Sequence, residues 1–192
     1  MDHYFTNNNI KSNIKIINSI INEKQYDFFV DNGVFSKNNV DYGTKLLLEN
    51  IKEIDGKILD VGCGYGVIGI YLKMNYNCTV DMIDINKRAI HLSRKNIDKY
   101  KLNDITVFES DAYINVTNKY DYIITNPPIR AGKEKVLEIL IGAKEFLNEN
   151  GKLYFVIRKD QGAKSITEHL KAYYNLNILT KSKGFWIICA EN

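Results

Sequence analysis

The stretch "LDVGCGYGVIGIYL", Leu59 to Leu72, is where the fold becomes legible. An apolar run closes on Asp60 and Val61, glycines follow at 62, 64, 66 and 69, and an apolar helical pattern starts among them. Glycine allows the positive φ of a tight turn and lets backbone N–H groups approach a ligand closely. A strand, a glycine turn and a helix in that order open a βαβ unit, so the chain on either side should alternate strands and helices.

Downstream, "TVDMID" reads as a strand, "KRAIHLSRKNIDKYK" as a helix, and "ITVFES" and "YDYIITN" as strands. "EKVLEILIGAKEFLNEN" reads as a helix over 134–150, with Val136, Leu140, Ala143 and Leu147 on one stripe. "KLYFVIR" is a strand and "AKSITEHLKAYY" a helix over 163–174; "LNILTKS" and "FWIICAE", joined by Lys183-Gly184, form a hairpin. Upstream, "NNVDYGTKLLLENIKEI" starts a helix that buries Leu46, Leu47, Ile51 and Ile54. "IKIINSII" and "YDFFVDNGVF" are two strands separated by the polar "NEKQ". Short strands that are apolar almost throughout are buried on both faces, so the expected fold is α/β, a mostly parallel sheet with helices on either side. In such sheets ligands sit at the carboxyl ends of the strands.

A length of 192 residues suits one domain, 1–192, divided into a β extension at 1–40 and a core at 41–192. Apolar content of 45% and charged content of 26% are those of an ordinary globular protein, and no apolar run is long enough to span a bilayer. The polar start "MDHYFTNNN" has no signal-peptide core. Cys63, Cys78 and Cys189 make no C-x-x-C pair and the three histidines have no ligand spacing, so neither a disulfide framework nor a metal site is expected. A cytoplasmic location and a monomer follow as the simplest expectations. Net charge is only +3, but basic residues cluster after apolar runs: Arg130, Lys133 and Lys135; Arg158, Lys159 and Lys164; Lys181 and Lys183. At the ends of strands of one sheet they would make a basic rim suited to nucleic acid.

"GYGVIG" matches G-x-G-x-x-G, and Asp84 lies 20 residues after Gly64, where a ribose-binding acid belongs. The loop alone leaves two cofactors open, a nicotinamide dinucleotide or an adenosyl sulfonium. Asp60, just before the glycines, would repel a pyrophosphate but suits an ammonium group. Asp111, in "SDA", can accept from an adenine amino group. "YDYIIT" then ends in "NPP", which holds both prolines of the chain, Pro127 and Pro128, behind Asn126.

In order and spacing, "LDVGCGYG", "MIDIN", "ESDA" and "TNPPIRAG" resemble the class I S-adenosylmethionine-dependent methyltransferases. The Asn-Pro-Pro element is similar to that of enzymes methylating planar nitrogens. With "GVFSKNNVDYGTKLLL" and "NPPIRAGK", the chain resembles the small-subunit ribosomal RNA methyltransferase C-like group, associated with guanine N2. The resemblance implies a doubly wound, seven-stranded, Rossmann-like sheet with a C-terminal antiparallel hairpin and an N-terminal β-hairpin extension. It implies S-adenosylmethionine over Gly62, Gly64 and Gly66, with Asp60 at its amino acid end, Asp84 at the ribose, and Ile85, Asp111 and Ala112 around the adenine.

Asn126 and the Pro127 carbonyl would accept from the target amine, with Asn126 also bordering the cofactor. Pro127 and Pro128, which lack N–H groups and have locked φ, would stiffen that corner. Pro128, Ile129, Arg130, Lys133 and Phe35 would meet the substrate, ribosomal RNA or the small ribosomal subunit. Ile129 stands where many Asn-Pro-Pro enzymes have a stacking aromatic, so Phe35, Phe185 and Trp186 are candidates for that task. The alternatives are methylation of adenine N6 or of a protein glutamine, a nicotinamide-dependent oxidoreductase, and a binding module without catalysis.

Overall fold

The computed structural model describes residues 11–191. Two strands, β1 (Lys15–Ile21) and β2 (Lys24–Val30), pair antiparallel through Asn22 and Glu23, both at positive φ (46° and 64°). Two left-handed residues give the two-residue turn that matches the twist of a hairpin. The expected second strand, which ran on to Phe35, stops at Val30. The buried Asp31 ends it by accepting from Ser12 Oγ (2.7 Å) and the Asn32 N–H (2.7 Å), with Arg88 3.6 Å away. The chain then turns through residues 31–40.

Helix α1 (Tyr42–Asn50) is shorter than its apolar pattern, and Ile51 and Ile54 are buried from the extended segment after it. Then come β3 (Gly56–Val61), α2 (Val67–Asn75), β4 (Cys78–Asp84), α3 (Lys87–Tyr100), β5 (Ile105–Glu109) and β6 (Tyr120–Thr125). Helix α4 (Lys133–Phe146) leads directly into β7 (Leu147–Arg158), followed by α5 (Ala163–Leu170), β8 (Asn175–Ser182) and β9 (Phe185–Glu191). The helix expected over 134–150 therefore ends early. Leu147 pairs with Tyr120, and the Asn148 amide donates to Asp121 Oδ1 (2.7 Å), so pairing with β6 outcompetes another helical turn. Helix α5 also ends early, where Tyr174 turns inward and its hydroxyl donates to the Leu140 carbonyl (2.9 Å).

The large sheet has seven strands in the order β5-β4-β3-β6-β7-β9-β8. The first five are mutually parallel and β9 is antiparallel to both neighbours. Strand order reverses between β3 and β6, which puts the crevice of a doubly wound sheet at their carboxyl ends. Ile58, Ile124, Val80 and Val156 face α1, α2, α3 and the first hairpin, while Leu59, Val61, Ile123 and Phe155 face α4 and α5. Asn96 of α3, fully buried, anchors the hairpin: it accepts from the Phe29 N–H (2.7 Å) and donates to the Phe29 and Tyr65 carbonyls (3.1 and 2.8 Å). No described helix is long and apolar enough to cross a membrane.

Candidate functional site

The glycine loop joins β3 to α2. Gly62, Gly64 and Gly66 all have left-handed backbone (φ 72°, 58° and 93°), a conformation costly for any residue with a Cβ. The Gly62 and Cys63 N–H groups both donate to the Ile83 carbonyl (2.9 Å each), tying the loop to the end of β4. The four glycines then divide by surroundings. A Cβ at Gly62 or Gly64 would meet nothing within 4 Å, whereas one at Gly69 would lie 2.3 Å from Met82 Sδ. The first two border open space; Gly69 exists so that α2 can pack on β4. Gly66 is crowded as well, with Ile70 and Ser93 Oγ at 3.0 and 3.1 Å from its would-be Cβ.

Two carboxylates underlie this loop. Asp60 is fully buried; its Oδ2 accepts from the Gly69 N–H (3.0 Å) and its Oδ1 has no partner. The side chain thus turns toward the first turn of α2 and still carries one unsatisfied acceptor. Burial pushes its carboxyl up to about 7, with the Gly69 hydrogen bond opposing and the charge of Asp84 adding to the shift. Asp84, at the end of β4, is half-buried. Its Oδ2 accepts from the Gly64 N–H and its Oδ1 from the Asn86 N–H, both at 2.8 Å. Burial raises it to about 6 against the pull of these backbone N–H groups. Both oxygens are in use, so Asp84 shapes the loop before it can bind a ribose, although a carboxylate has more lone pairs than these backbone donors fill.

The end of β5 lies beside them. The Ser110 N–H donates to the Asp84 carbonyl (3.0 Å), and its hydroxyl donates to the carbonyl of Ala112, which has φ 46°. Ile85 is 36% exposed at the mouth of this region. Asp111, expected to wait for an adenine amine, is ion-paired with Lys135 of α4 at 2.5 Å. Lys135 also holds Glu138 (2.9 Å), so it is withdrawn from the expected basic rim.

On the other side of the crevice, β6 ends in the Asn-Pro-Pro corner. The Asn126 Nδ2 group donates to Asp41 Oδ2 (3.1 Å) and to Thr44 Oγ1 (2.9 Å), both in the first turn of α1. Each amide hydrogen then has an acceptor, and Oδ1 points away from both. Asp41 is the N-cap of α1 and also accepts from the Thr44 N–H (3.0 Å). The Pro127 carbonyl is not bare, as was expected: it accepts from the Ile129 N–H (2.9 Å). Pro128, at φ −75° and ψ 78°, has the backbone of an inverse γ-turn, which makes that bond and leaves the carbonyl one lone pair. A 3-10 turn, Ile129–Ala131, follows, with Ile129 half-buried against the α4 side of the core and Arg130 exposed.

The remaining candidates are dispersed. Lys133 donates to Ser165 of α5 (2.9 Å). Phe35 is 46% exposed in the 31–40 turn, beside Ser36, whose carbonyl accepts from the Tyr65 hydroxyl of the glycine loop (3.4 Å). Phe185 lies against the start of α1, beside the Asp41 that holds Asn126. Its ring carbon would lie 2.7 Å from a Cβ on Gly43, the same point that is 2.9 Å from Asp41 Oδ2. Phe185 also packs on Tyr42 (5.5 Å between centroids) and beneath the Arg158 guanidinium (5.2 Å). Lys183 sits over Tyr42 (4.8 Å) and Lys181 over Trp186 (3.7 Å), so the hairpin cations rest on aromatic faces. Sequence reasoning missed Asp41 and Thr44. Their D-x-x-T spacing signals a helix cap, but nothing in it points to Asn126. Among the described residues no cluster of His, Cys, Asp or Glu is arranged to hold a metal ion.

Known proteins share the sequence and the fold of this chain. YbxB of Bacillus subtilis is 39% identical over 99% of this chain and 98% of its own length. The ribosomal RNA small subunit methyltransferase C of Vibrio parahaemolyticus is 36% identical over 83% of this chain; the match spans 47% of that protein, so this chain corresponds to about half of it. Among solved structures, the 16S rRNA N2 methyltransferase RsmC of T. thermophilus, in complex with AdoMet and guanosine, superposes with a TM-score of 0.84. That match has 22% identity and covers 93% of this chain and 50% of the other. Residues 25–189 match the family model described as the methyltransferase small domain, and the chain belongs to that family.

Proposed function

We propose that this chain transfers a methyl group from S-adenosylmethionine to the exocyclic N2 amine of a guanine in small-subunit ribosomal RNA. The observation that carries the reading is the Asn126 amide, whose two N–H bonds are consumed by Asp41 and Thr44, leaving Oδ1 as an acceptor at the crevice. The curated relatives named for ribosomal RNA methylation, and the neighbour solved with AdoMet and guanosine, support the choice of substrate and cofactor.

The residues fit the cofactor. Asp60 Oδ1 is a buried carboxylate oxygen without a donor, suited to an ammonium group. Gly62 and Gly64 border open space where a side chain would otherwise stand. Asp84 keeps lone pairs for ribose hydroxyls, and Ile85 and Ala112 offer apolar surface beside an adenine. When bound, S-adenosylmethionine supplies an electrophilic methyl group on a sulfonium sulfur.

The acceptor side must overcome poor nucleophilicity, because the lone pair of an exocyclic base amine is delocalised into the ring. Asn126 Oδ1 accepts one N–H of that amine, and the free lone pair of the Pro127 carbonyl accepts the other. Two fixed acceptors hold the nitrogen in line and stabilise positive charge as it develops there. Once methylated and cationic, the nitrogen is acidic and loses its proton without a strong base. Ile129 is half-buried and aliphatic, so the base is oriented by the Asn-Pro corner and by an aromatic from elsewhere, with Phe185, which lies against Gly43 beside Asp41, the candidate.

The test has two parts. Ribosomal RNA from cells lacking the gene should lose an N2-methylguanosine that the gene restores. The purified Asn126→Ala variant should lose about 10²–10³ in kcat, the range for one preorganised hydrogen-bonding group, with cofactor affinity nearly unchanged. A methylated adenine or glutamine as the product, tight NADH binding, or a wild-type rate for Asn126→Ala would overturn the reading.

A further inference from the structure

We infer that Asp41 and Thr44 are positioning residues that fix the orientation of the Asn126 amide, an inference that rests on the role just proposed for Asn126. The two ends of a carboxamide differ only in hydrogen bonding: one donates twice, the other accepts. An Asn at the end of a strand can therefore present either end to a ligand. Here the choice is made by what lies behind it. Asp41 is a carboxylate and only accepts; its Oδ2 is 3.1 Å from Asn126 Nδ2. Thr44 Oγ1, 2.9 Å away, accepts the second hydrogen. Turning the amide over would set Oδ1 against the Asp41 carboxylate and lose that bond, and it would force the Thr44 hydroxyl to change from acceptor to donor.

The supports are themselves held. Asp41 Oδ2 also accepts from the Thr44 N–H (3.0 Å), and the Asp41 carbonyl accepts from the Lys45 N–H (3.1 Å). Thr44 is 6% exposed within the packed first turn of α1. The first turn of α1 thus acts as a jig for a side chain 82 and 85 positions away in the chain. In this scheme Asp41 makes no contact of its own with the target base. It acts through Asn126 and is no general base in this scheme.

Thr44→Val is the primary variant, since it keeps the shape of the side chain and the Asp41 cap while removing the acceptor. Misplacing a group at the reacting centre by about an ångström can cost about 10²-fold, so a loss of about 10–100-fold in kcat is expected, with the KM for RNA within a few-fold. Cofactor affinity should be unchanged, and Thr44→Ser should recover most of the rate. In an Asn126→Ala background, Thr44→Val should cost nothing further. Asp41→Asn, which offers the amide either a donor or an acceptor, should lose part of the activity without a new pH dependence.

One readout needs no substrate. The Asn126 side-chain amide resonance, identified by its absence in Asn126→Ala, should move and broaden in Thr44→Val. If wild type fails to methylate RNA but this resonance shifts, the positioning role stands and the substrate reading falls. The inference is overturned if Thr44→Val keeps the wild-type rate and amide resonance. It is equally overturned if Thr44→Val loses the same factor with and without Asn126, or if Asp41→Asn abolishes activity while Thr44→Val does not.

Discussion

On the glycine-loop side of the crevice, Asp60 reaches 9 positions to Gly69, Asp84 reaches 20 to Gly64, and Ser93 reaches 29 to the Gly64 carbonyl (2.9 Å). On the acceptor side, Asn126 reaches back 82 and 85 positions to α1. The first set of bonds lies inside one continuous stretch, β3 to α3; the second needs α1 docked on the sheet over β7 and β9. One half of the site is thus a product of local chain geometry and the other of tertiary assembly. Substitutions should therefore separate them: changes near the glycines should act on cofactor binding and loop order, and changes near Asn126 on the rate.

The largest effect that would sharpen this contrast is at Asp84. Asp84→Ala should weaken S-adenosylmethionine binding by about 1.5–3 kcal/mol, the range for charge-assisted hydrogen bonds. Part of that loss should come from the loop, because the Gly64 and Asn86 N–H groups lose their acceptor. Titration calorimetry measures it, and an affinity equal to that of wild type would break the division.

Next is Gly69→Ala. The added Cβ would lie 2.3 Å from Met82 Sδ and 2.7 Å from its Cγ, so β4 or Met82 must shift. Overpacking of this kind costs about 1–3 kcal/mol, with the low end expected because a methionine side chain is flexible. Urea unfolding should show it as a lower midpoint at unchanged slope. No loss of stability would mean that the third glycine of the motif serves the ligand rather than the packing of α2.

The smallest effect is a matter of protons. Burial raises the carboxyls of Asp60 to about 7 and Asp84 to about 6, above their ordinary value of 3.8. A group raised on folding favours the fold in its protonated form. Its contribution is complete below 3.8 and is lost as pH climbs through about 6 and 7. The protein without cofactor should therefore melt lower as pH rises across that window. An ammonium placed at Asp60 favours the carboxylate, so binding at about pH 6.5 should release a fraction of a proton, less in Asp60→Asn. Calorimetry in two buffers of different ionisation enthalpy reads the release; heats independent of buffer would remove Asp60 from contact with the ligand.

The same division explains what could be read from sequence. Strand β3, the glycine turn and α2 follow from neighbouring residues, and the expected "VIGIYLKMN" helix coincides with Val67–Asn75. Where partners are distant, reading fails. Leu147 continues the apolar stripe of α4 and so predicts more helix; its burial comes instead from the sheet, through Tyr120. Lys135 counted as rim because its sequence neighbours are basic, although Glu138, three residues on, foreshadowed one of its partners. The other, Asp111, lies 24 positions earlier in the segment after β5. Asn126 was legible from its prolines, but the direction of its amide was not, since nothing near Asp41 and Thr44 marks them as its neighbours.

The place of β9 bears on the order in which these halves come into being. It follows β8 in the chain but lies between β7 and β8 in the sheet. As the polypeptide emerges from the ribosome, the β3–α2–β4 unit can close its glycine loop while most of the later chain is still unmade. Strand β7, by contrast, keeps an unpaired edge until Phe185–Glu191 arrive. The Lys183-Gly184 turn, both residues at positive φ, lets β8 and β9 zip together first and dock as a hairpin, and the Lys159 N–H then donates to the Gly184 carbonyl (2.8 Å). Phe185 reaches Gly43 only in that last event, so the cofactor side can take shape early in synthesis while the acceptor corner gains its aromatic neighbour at the end. Until then, the waiting edge of β7 is open to pairing with another molecule.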